Sequence, residues 1–124
     1  MTITAQMAGN AALWPRSAAV FGASGGIGRA LCEGLAARGV QMIHAGSRSG
    51  EGPDGGSIRP FAFDLKDEAS IAAAAEAMRA DPPDWVIVAT GVLTLPDGSG
   101  PERTYKRLEA DVMTEVLALN TIGP

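Results

Sequence analysis

Apolar positions follow two different spacings along this chain, and the change of spacing marks its elements. Short apolar runs at residues 17–21, 40–46, 58–63 and 85–89 are typical of strands buried in a parallel sheet. Between and after these runs, apolar residues recur three and four positions apart, which is the spacing of an amphipathic helix. The pattern therefore predicts the order strand, helix, strand, strand, helix, strand, helix.

Each predicted helix has an apolar face and a residue that marks an end. The first helix covers residues 26–38, and Gly39 ends it. The second helix begins after Asp67, a residue type that caps helix N-termini, and ends before Pro82-Pro83. The apolar faces consist of Ile27, Leu31 and Leu35 in the first helix, Ile71, Ala74, Ala75 and Met78 in the second, and Leu108, Val112, Val116 and Leu119 in the last.

Strands that alternate with helices predict an α/β fold with a doubly wound parallel sheet of the Rossmann type. Right-handed crossover connections place the strands in the order 3-2-1-4. Strand 3 contains Pro60, which has no N–H to donate, so this strand is expected at an edge of the sheet. Residues 1–16 are predicted to be an N-terminal leader, and residues 17–124 a partial domain truncated before strand 5. The edge of strand 4 would then be open, which predicts a fragment of a longer protein or a homo-oligomer.

The composition excludes several classes of function. The net charge is −4 and no basic cluster is present, so nucleic acid is not an expected partner. Cys32 and His44 are the single cysteine and histidine, so neither an internal disulfide nor a metal site is expected. The chain has no apolar stretch long enough to cross a membrane and no signal-peptide pattern, which predicts a cytoplasmic protein.

The segment with the clearest chemistry is Gly22-Ala23-Ser24-Gly25-Gly26-Ile27-Gly28, which follows the first strand and opens the first helix. A dinucleotide pyrophosphate needs several hydrogen-bond donors at once, and the free N–H groups and dipole of a helix N-terminus supply them. An ordinary turn is the alternative, but this placement between strand and helix favours dinucleotide binding, and the Gly-Lys-Ser/Thr ending of a P-loop is missing. The residues predicted to bind are Gly22, Ser24, Gly25, Gly26, Ile27 and Gly28.

The end of the second strand indicates which dinucleotide is bound. An NAD site carries Asp or Glu there to bind the ribose hydroxyls, whereas this strand ends in Ser47-Arg48-Ser49. Arg48 can pair with a 2′-phosphate, and Ser47 or Ser49 can donate a further hydrogen bond. The sequence therefore predicts NADP, the alternative being that Arg48 is only a solvated surface residue.

These residues resemble the short-chain dehydrogenases/reductases, whose turn reads Thr-Gly-x-x-x-Gly-x-Gly, with Phe21 here in place of the threonine. Asp64-Leu65 is similar to the family's Asp-Val/Leu pair, which implies that the carboxylate accepts from the adenine amino group. Ala89-Thr90-Gly91 is similar to the family's Asn-Ala-Gly segment, which implies contact with the adenine ribose.

The resemblance extends to the end of the chain. Residues 119–124 are similar to the family's Val-Asn-x-x-Gly-Pro segment, which implies that Asn120 is the asparagine of a catalytic tetrad. Gly100-Pro101-Glu102 is similar to the carbonyl-reductase-like subgroup that includes the C-factor proteins.

The resemblance implies an NADP-dependent oxidoreductase that transfers a hydride between the nicotinamide and a carbonyl or alcohol substrate. The family's catalytic serine and Tyr-x-x-x-Lys pair are missing, because the single tyrosine, Tyr105, is followed four positions later by Glu109. The chain alone is therefore expected to be inactive. Two alternatives stay open: a non-catalytic sensor or regulatory module that binds a dinucleotide, and a nucleotide-sugar epimerase or dehydratase. The spacing of Gly22, Gly25 and Gly28 is similar to that of the epimerases.

Overall fold

Four parallel strands form the sheet in the computed structural model, which describes residues 13–124. The strands are β1 (Ser17–Phe21), β2 (Met42–Ser47), β3 (Ile58–Ala62) and β4 (Trp85–Val88). They lie in the order β3-β2-β1-β4 and all pair in parallel, which confirms the predicted topology. Most of the predicted leader, residues 1–12, lies outside the described residues.

Three helices connect and follow the strands. They are α1 (Gly26–Ala37) between β1 and β2, α2 (Glu68–Ala77) between β3 and β4, and α3 (Ala110–Leu117) after β4. A 3₁₀ turn, Tyr105–Arg107, precedes α3, and a π-helical turn, Ala118–Ile122, extends it. The predicted order of elements is therefore confirmed, and Pro60 lies in edge strand β3 as expected. Among the helices of residues 13–124, none has the length and apolar character needed to cross a membrane.

The core lies between α1 and one face of the sheet. Val20 and Ile43 from the sheet and Cys32 and Leu35 from α1 are almost fully buried there. The predicted position of Ile27 on this buried face is wrong, because its side chain is 75% exposed. The face that meets the sheet carries Gly28, Cys32 and Leu35 instead, and one residue of shift turns a side chain by about 100° around a helix.

Helix α2 covers part of the opposite face of the sheet. Its N-cap is Asp67, as predicted, because the Asp67 side chain accepts a hydrogen bond from the Ala69 N–H at 3.0 Å. Ala74 and Met78 are buried and Ile71 is half-buried, but Ala75 is exposed, so the predicted apolar face is wrong at that position. The helix ends at Ala77, before the two prolines.

Strand β4 is less buried than its sequence predicts. Trp85, Val86 and Val88 are exposed, and the exposed fraction of Val86 reaches 61%. The prediction of a buried strand is wrong, because the described helices leave these side chains uncovered on the faces of the sheet. Strand β4 also pairs only with β1 and forms the outer edge of the described sheet. Trp85 packs against the Trp14 ring, with 6.1 Å between the ring centroids.

Three aromatic rings pack together below the carboxyl edge of the sheet. Phe21 contacts Phe63 and Phe61 edge to face, with centroid distances of 4.9 and 5.5 Å. Gly46 makes this packing possible, since a Cβ there would lie 2.5 Å from the Phe61 ring. Phe21, which stands where the resembling family has a threonine, is therefore a packing residue that supports the start of the glycine turn.

Candidate functional site

The glycine turn joins β1 to α1 in a conformation that depends on two glycines. Gly22 has a φ of +99°, and a Cβ at this position would lie 2.6 Å from the carbonyl oxygen of Ala89 after β4. A Cβ at Gly28 would lie 1.9 Å from the carbonyl oxygen of Gly22. These contacts allow no side chain at either position, so the turn packs closely against both its own helix and the end of β4.

Five amide groups of this turn fall into two sets. The N–H groups of Gly22 and Ala23 both donate to the Gly46 carbonyl oxygen, at 2.9 and 2.8 Å, and fasten the turn to β2. The N–H groups of Gly26, Ile27 and Gly28 have no acceptor among the described residues. The first turn of α1 also has no capping side chain and no acidic residue. This helix end therefore presents free donors and a positive dipole end, a combination that suits an anionic group such as a phosphate.

A cavity of about 230 Å³ opens beside the turn, at the carboxyl edge of the sheet. In open α/β sheets, ligands bind outside this edge. The segments that follow all four strands contribute to the cavity wall, and α3 with the start of its π-helical turn closes one side. The lining residues are Gly22, Gly25, Ser47, Arg48, Phe63, Leu65, Ala89, Thr90, Gly91, Val92, Pro96, Glu115 and Leu119.

The structure brings together eight of the predicted cofactor-binding residues in this wall. They are Gly22, Gly25, Ser47, Arg48, Leu65, Ala89, Thr90 and Gly91. The other residues of the turn, Ser24, Gly26, Ile27 and Gly28, continue from this wall into the start of α1 and do not line the cavity. Asp64 precedes the lining residue Leu65 but is not itself part of the wall.

Arg48 and its serine neighbours differ in the donors they have free. Arg48 is exposed and forms no ion pair or side-chain hydrogen bond within residues 13–124. Ser47 is 2% exposed, and its hydroxyl donates to the Glu51 carbonyl oxygen at 2.6 Å. The Ser49 hydroxyl accepts from the Glu51 N–H at 3.1 Å and keeps its own hydrogen for another acceptor. Arg48 and Ser49 therefore keep side-chain donors available for a bound molecule. The Ser47 hydroxyl instead stabilises the loop that follows β2.

Asp64 and Asn120 each bond to nearby backbone. One Asp64 carboxylate oxygen accepts from the Lys66 N–H at 2.9 Å. The Asn120 side chain accepts from the Val92 N–H and donates to the Val92 carbonyl oxygen, both at 2.7 Å. Through this pair of bonds Asn120 fixes the segment after β4 directly next to Gly91, so in this structure it positions the cavity wall.

The sequence reasoning missed five residues of the cavity wall. Phe63 and Val92 adjoin predicted residues and could have been found by extending those segments by one position. Glu115 and Leu119 lie four residues apart on the last helical segment, where Leu119 precedes Asn120. Pro96 lies in a loop and carries no sequence signal. Glu115 also forms an ion pair with Lys66, which joins α3 to the segment between β3 and α2.

Two comparisons with known proteins gave different outcomes. The model of the NAD dependent epimerase/dehydratase family matches residues 18–119, which is more than half of the chain. A comparison with curated proteins gave no match.

Solved structures with the same fold include dinucleotide-binding proteins. A protein described as a short-chain dehydrogenase/reductase from Burkholderia multivorans, with bound NADP, has a TM-score of 0.73 at 23% identity, and the match covers 87% of this chain and 48% of that one. A short-chain dehydrogenase from Leptospira borgpetersenii, with bound NAD+, has a TM-score of 0.72 at 17% identity, and the match covers 89% and 42%. A carbonyl reductase from Pseudomonas aeruginosa has a TM-score of 0.72 at 23% identity, and the match covers 87% and 50%.

At these identities the likeness shows the fold, and the chain spans about half the length of the structures it matches. The family model matches the segment that contains the glycine turn and the sheet, and this match shows the family as well as the fold. This chain belongs to the NAD dependent epimerase/dehydratase family.

Proposed function

We propose that residues 17–124 are the NADP(H)-binding portion of a short-chain oxidoreductase that transfers a hydride between the nicotinamide and a carbonyl or alcohol substrate. The observation that carries the proposal is the start of α1, where the amides of Gly26, Ile27 and Gly28 have no acceptor among residues 13–124. These donors lie next to the cavity, where the diphosphate of a dinucleotide would be bound. When bound, the dinucleotide supplies the hydride chemistry, and this chain supplies its binding and orientation.

The choice of NADP over NAD rests on Arg48. No acidic residue follows β2 at the cavity, and the Arg48 guanidinium has no carboxylate partner in the described part of the chain. A planar guanidinium forms strong, charge-assisted hydrogen bonds with a phosphate, and Ser49 can add a hydroxyl donor. The adenosine ribose of NAD has an uncharged 2′-hydroxyl in place of the 2′-phosphate, so it offers Arg48 no negative charge.

The adenosine end would lie between the segments after β3 and β4. Asp64 keeps one carboxylate oxygen outside its bond to Lys66, and this oxygen can accept from the adenine amino group. Leu65 and Ala89-Thr90-Gly91 would form the apolar and backbone contacts with the base and its ribose. Asn120, through its bonds to Val92, would keep the second of these segments in place, in addition to the tetrad role that the family resemblance implies.

Titration of the chain with NADPH and NADH tests the proposal. We expect tighter binding of NADPH, and we expect Arg48→Ala to weaken NADPH binding by about 10-fold or more with little effect on NADH, since a hydrogen bond to a charged group contributes about 1.5–3 kcal/mol. Arg79→Ala is the matched control, because Arg79 lies after α2, away from this cavity, in an exposed pair with Glu76. NADH binding as tight as NADPH binding would show that the NADP assignment is wrong.

A second candidate is an epimerase or dehydratase that acts on a nucleotide sugar. The description of the matching family favours it, as does the spacing of Gly22, Gly25 and Gly28. Following NADPH absorbance with a panel of ketones, in a protein that carries any natural continuation of this chain, separates the two activities. Ketone-dependent NADPH oxidation supports the reductase, conversion of a nucleotide sugar without net NADPH oxidation supports the second candidate, and dinucleotide binding without either reaction supports a binding module.

A further inference from the structure

A second cavity lies between the segment that follows β4 and helix α3. Its volume is about 240 Å³, and none of the residues predicted to bind the dinucleotide lines it. The apolar side chains of its wall are those of Val92, Leu93, Met113, Val116 and Leu117. This cavity is therefore a site distinct from the one proposed for the dinucleotide.

The two cavities share one part of their walls. Val92 lines both, and the consecutive residues Leu119 and Asn120 line the first and the second. The Asn120 amide accepts from the Val92 N–H and donates to the Val92 carbonyl oxygen, both at 2.7 Å, which holds the shared wall in place. A molecule in the second cavity would therefore lie beside the cavity proposed for the dinucleotide.

The charges of the second cavity disfavour an anion. Among the described residues that line it, Glu102 is the only charged one, and no lysine or arginine is present. A carboxylate repels phosphate groups, so the diphosphate of a nucleotide sugar is unsuited to this wall. Because the Asn120 amide is engaged with Val92, the rest of the wall offers mainly apolar contacts. These features select a neutral, apolar ligand group.

The apolar side chains of this wall are left open to water. Leu93 is 72% exposed, and Met113 and Leu117 are exposed as well. An apolar ligand group would remove part of this surface from water, which is favourable. An apolar cavity of about 150 Å³ is enough to hold benzene, so about 240 Å³ accommodates an aryl group or a branched alkyl group of similar size.

We propose that the second cavity binds the uncharged apolar substituent of a carbonyl or alcohol substrate, an aryl or branched alkyl group, beside the bound dinucleotide. This inference rests on the proposed oxidoreductase function and names its substrate class. It favours the reductase over the second candidate, since a nucleotide sugar would bring phosphate charges to a wall that carries a carboxylate.

Carbon-13 NMR of the methionine methyl groups tests the proposal. Met113 lines the cavity, whereas Met42 in β2 and Met78 after α2 do not. With NADPH present, we expect acetophenone, a neutral aryl ketone, to shift the Met113 signal saturably and to leave the Met42 and Met78 signals unchanged. Met113→Leu assigns the signal by its loss. Uridine diphosphate glucose at the same concentration should not shift it.

A matched pair of substitutions locates the binding. Leu117 lines the cavity and Leu108 does not, although their side chains are similarly exposed, at 48% and 53%. We expect Leu117→Gln to weaken acetophenone binding about 3- to 10-fold, since a polar amide replaces apolar contact surface. Leu108→Gln should bind acetophenone and NADPH as wild type does.

Three results would overturn the inference. They are a Met113 signal that does not move up to the solubility limit of acetophenone, an equal shift with uridine diphosphate glucose, and equal weakening by Leu117→Gln and Leu108→Gln. Titration of the wild-type chain with NADPH and NADH, without acetophenone, is read separately. Failure to bind either dinucleotide there would instead overturn the proposed function itself.

Discussion

At the scale of single residues, Gly26 and Gly28 are two positions apart but lie in different surroundings. A Cβ at Gly28 would overlap the Gly22 carbonyl, whereas a Cβ at Gly26 would meet no protein atom within 4 Å. We expect Gly28→Ala to lower stability by about 1–3 kcal/mol or more, because the backbone would have to move. We expect Gly26→Ala to fold as wild type and to bind NADPH more weakly, since the methyl group would occupy the space of the phosphate. Urea unfolding and NADPH titration of both variants check this, and normal NADPH binding by Gly26→Ala would contradict it.

We expect His44 to make the stability of the fold depend on pH. It is half-buried in β2, and burial lowers its pKa, while the charge of Asp81 acts weakly in the opposite direction. The unfolded chain therefore binds the proton more readily than the folded chain. The contribution of neutral His44 to stability is present above about pH 6.5 and is lost as the pH falls below it. Urea midpoints measured from pH 8 to pH 5 should decline less in His44→Gln than in wild type, and parallel declines would contradict this assignment.

At the scale of elements, the ion pair between Lys66 and Glu115 joins α3 to the segment before α2 at the cavity wall. Both side chains are partly exposed, so the pair is expected to contribute about 0.2–1 kcal/mol. Lys66→Glu should weaken NADPH binding by about two- to fivefold, and the exchange Lys66→Glu with Glu115→Lys should restore it. Glu76→Arg with Arg79→Glu is the control exchange, since that pair lies near the end of α2. If the control exchange changes NADPH affinity as much as Lys66→Glu alone, the two elements are not held at the cavity by this pair.

The order of the elements could be predicted from the sequence, whereas several of their buried faces could not. Alternating apolar runs and right-handed crossovers are enough to place β1 between β2 and β4. The face of α1 depends on how closely its first turn approaches Gly22, and this contact excludes Ile27 from the core. The apolar run of β4 indicates a strand, but it does not say which neighbours cover that strand.

The same limit applies to the site. The turn, Arg48 and Gly91 follow strand ends, and parallel strands bring their carboxyl ends together, so the sequence alone predicts their proximity. Glu115 and Leu119 reach the cavity because α3 packs beside it, which is a tertiary contact without a local signal. The engaged hydroxyl of Ser47 also depends on the fold of its loop, since its acceptor is the backbone of Glu51.

At the scale of the whole molecule, binding and catalysis are expected to separate. Proton transfer to a carbonyl needs an acid close to the nicotinamide. Tyr105, the single tyrosine of the chain, is exposed in the 3₁₀ turn before α3 and lines none of the cavity. We therefore expect the 124-residue chain to bind NADPH without oxidising it in the presence of ketones. Tyr105→Phe should bind NADPH as wild type does. The expectation would be contradicted if the wild-type chain reduced carbonyl compounds and Tyr105→Phe did not.

Strand β4 forms one of the two outer edges of the described sheet. Val86 and Val88 are exposed on this strand, and its edge has no paired neighbour in the described sheet. The expectation of a homo-oligomer stays a prediction, which sedimentation of the purified chain can test. Such an edge pairs readily with another strand.

The two sets of amides in the glycine turn give this site a signature in hydrogen–deuterium exchange. The amides of Gly22 and Ala23 share the Gly46 carbonyl and should exchange slowly in the free protein, although they lie outside any strand or helix. The amides of Gly26, Ile27 and Gly28 lack an acceptor among residues 13–124 and should exchange rapidly. A bound diphosphate would protect the second set and leave the first set unchanged. Five amides within seven consecutive residues would thus report, by their exchange rates alone, both the integrity of the turn and its occupancy.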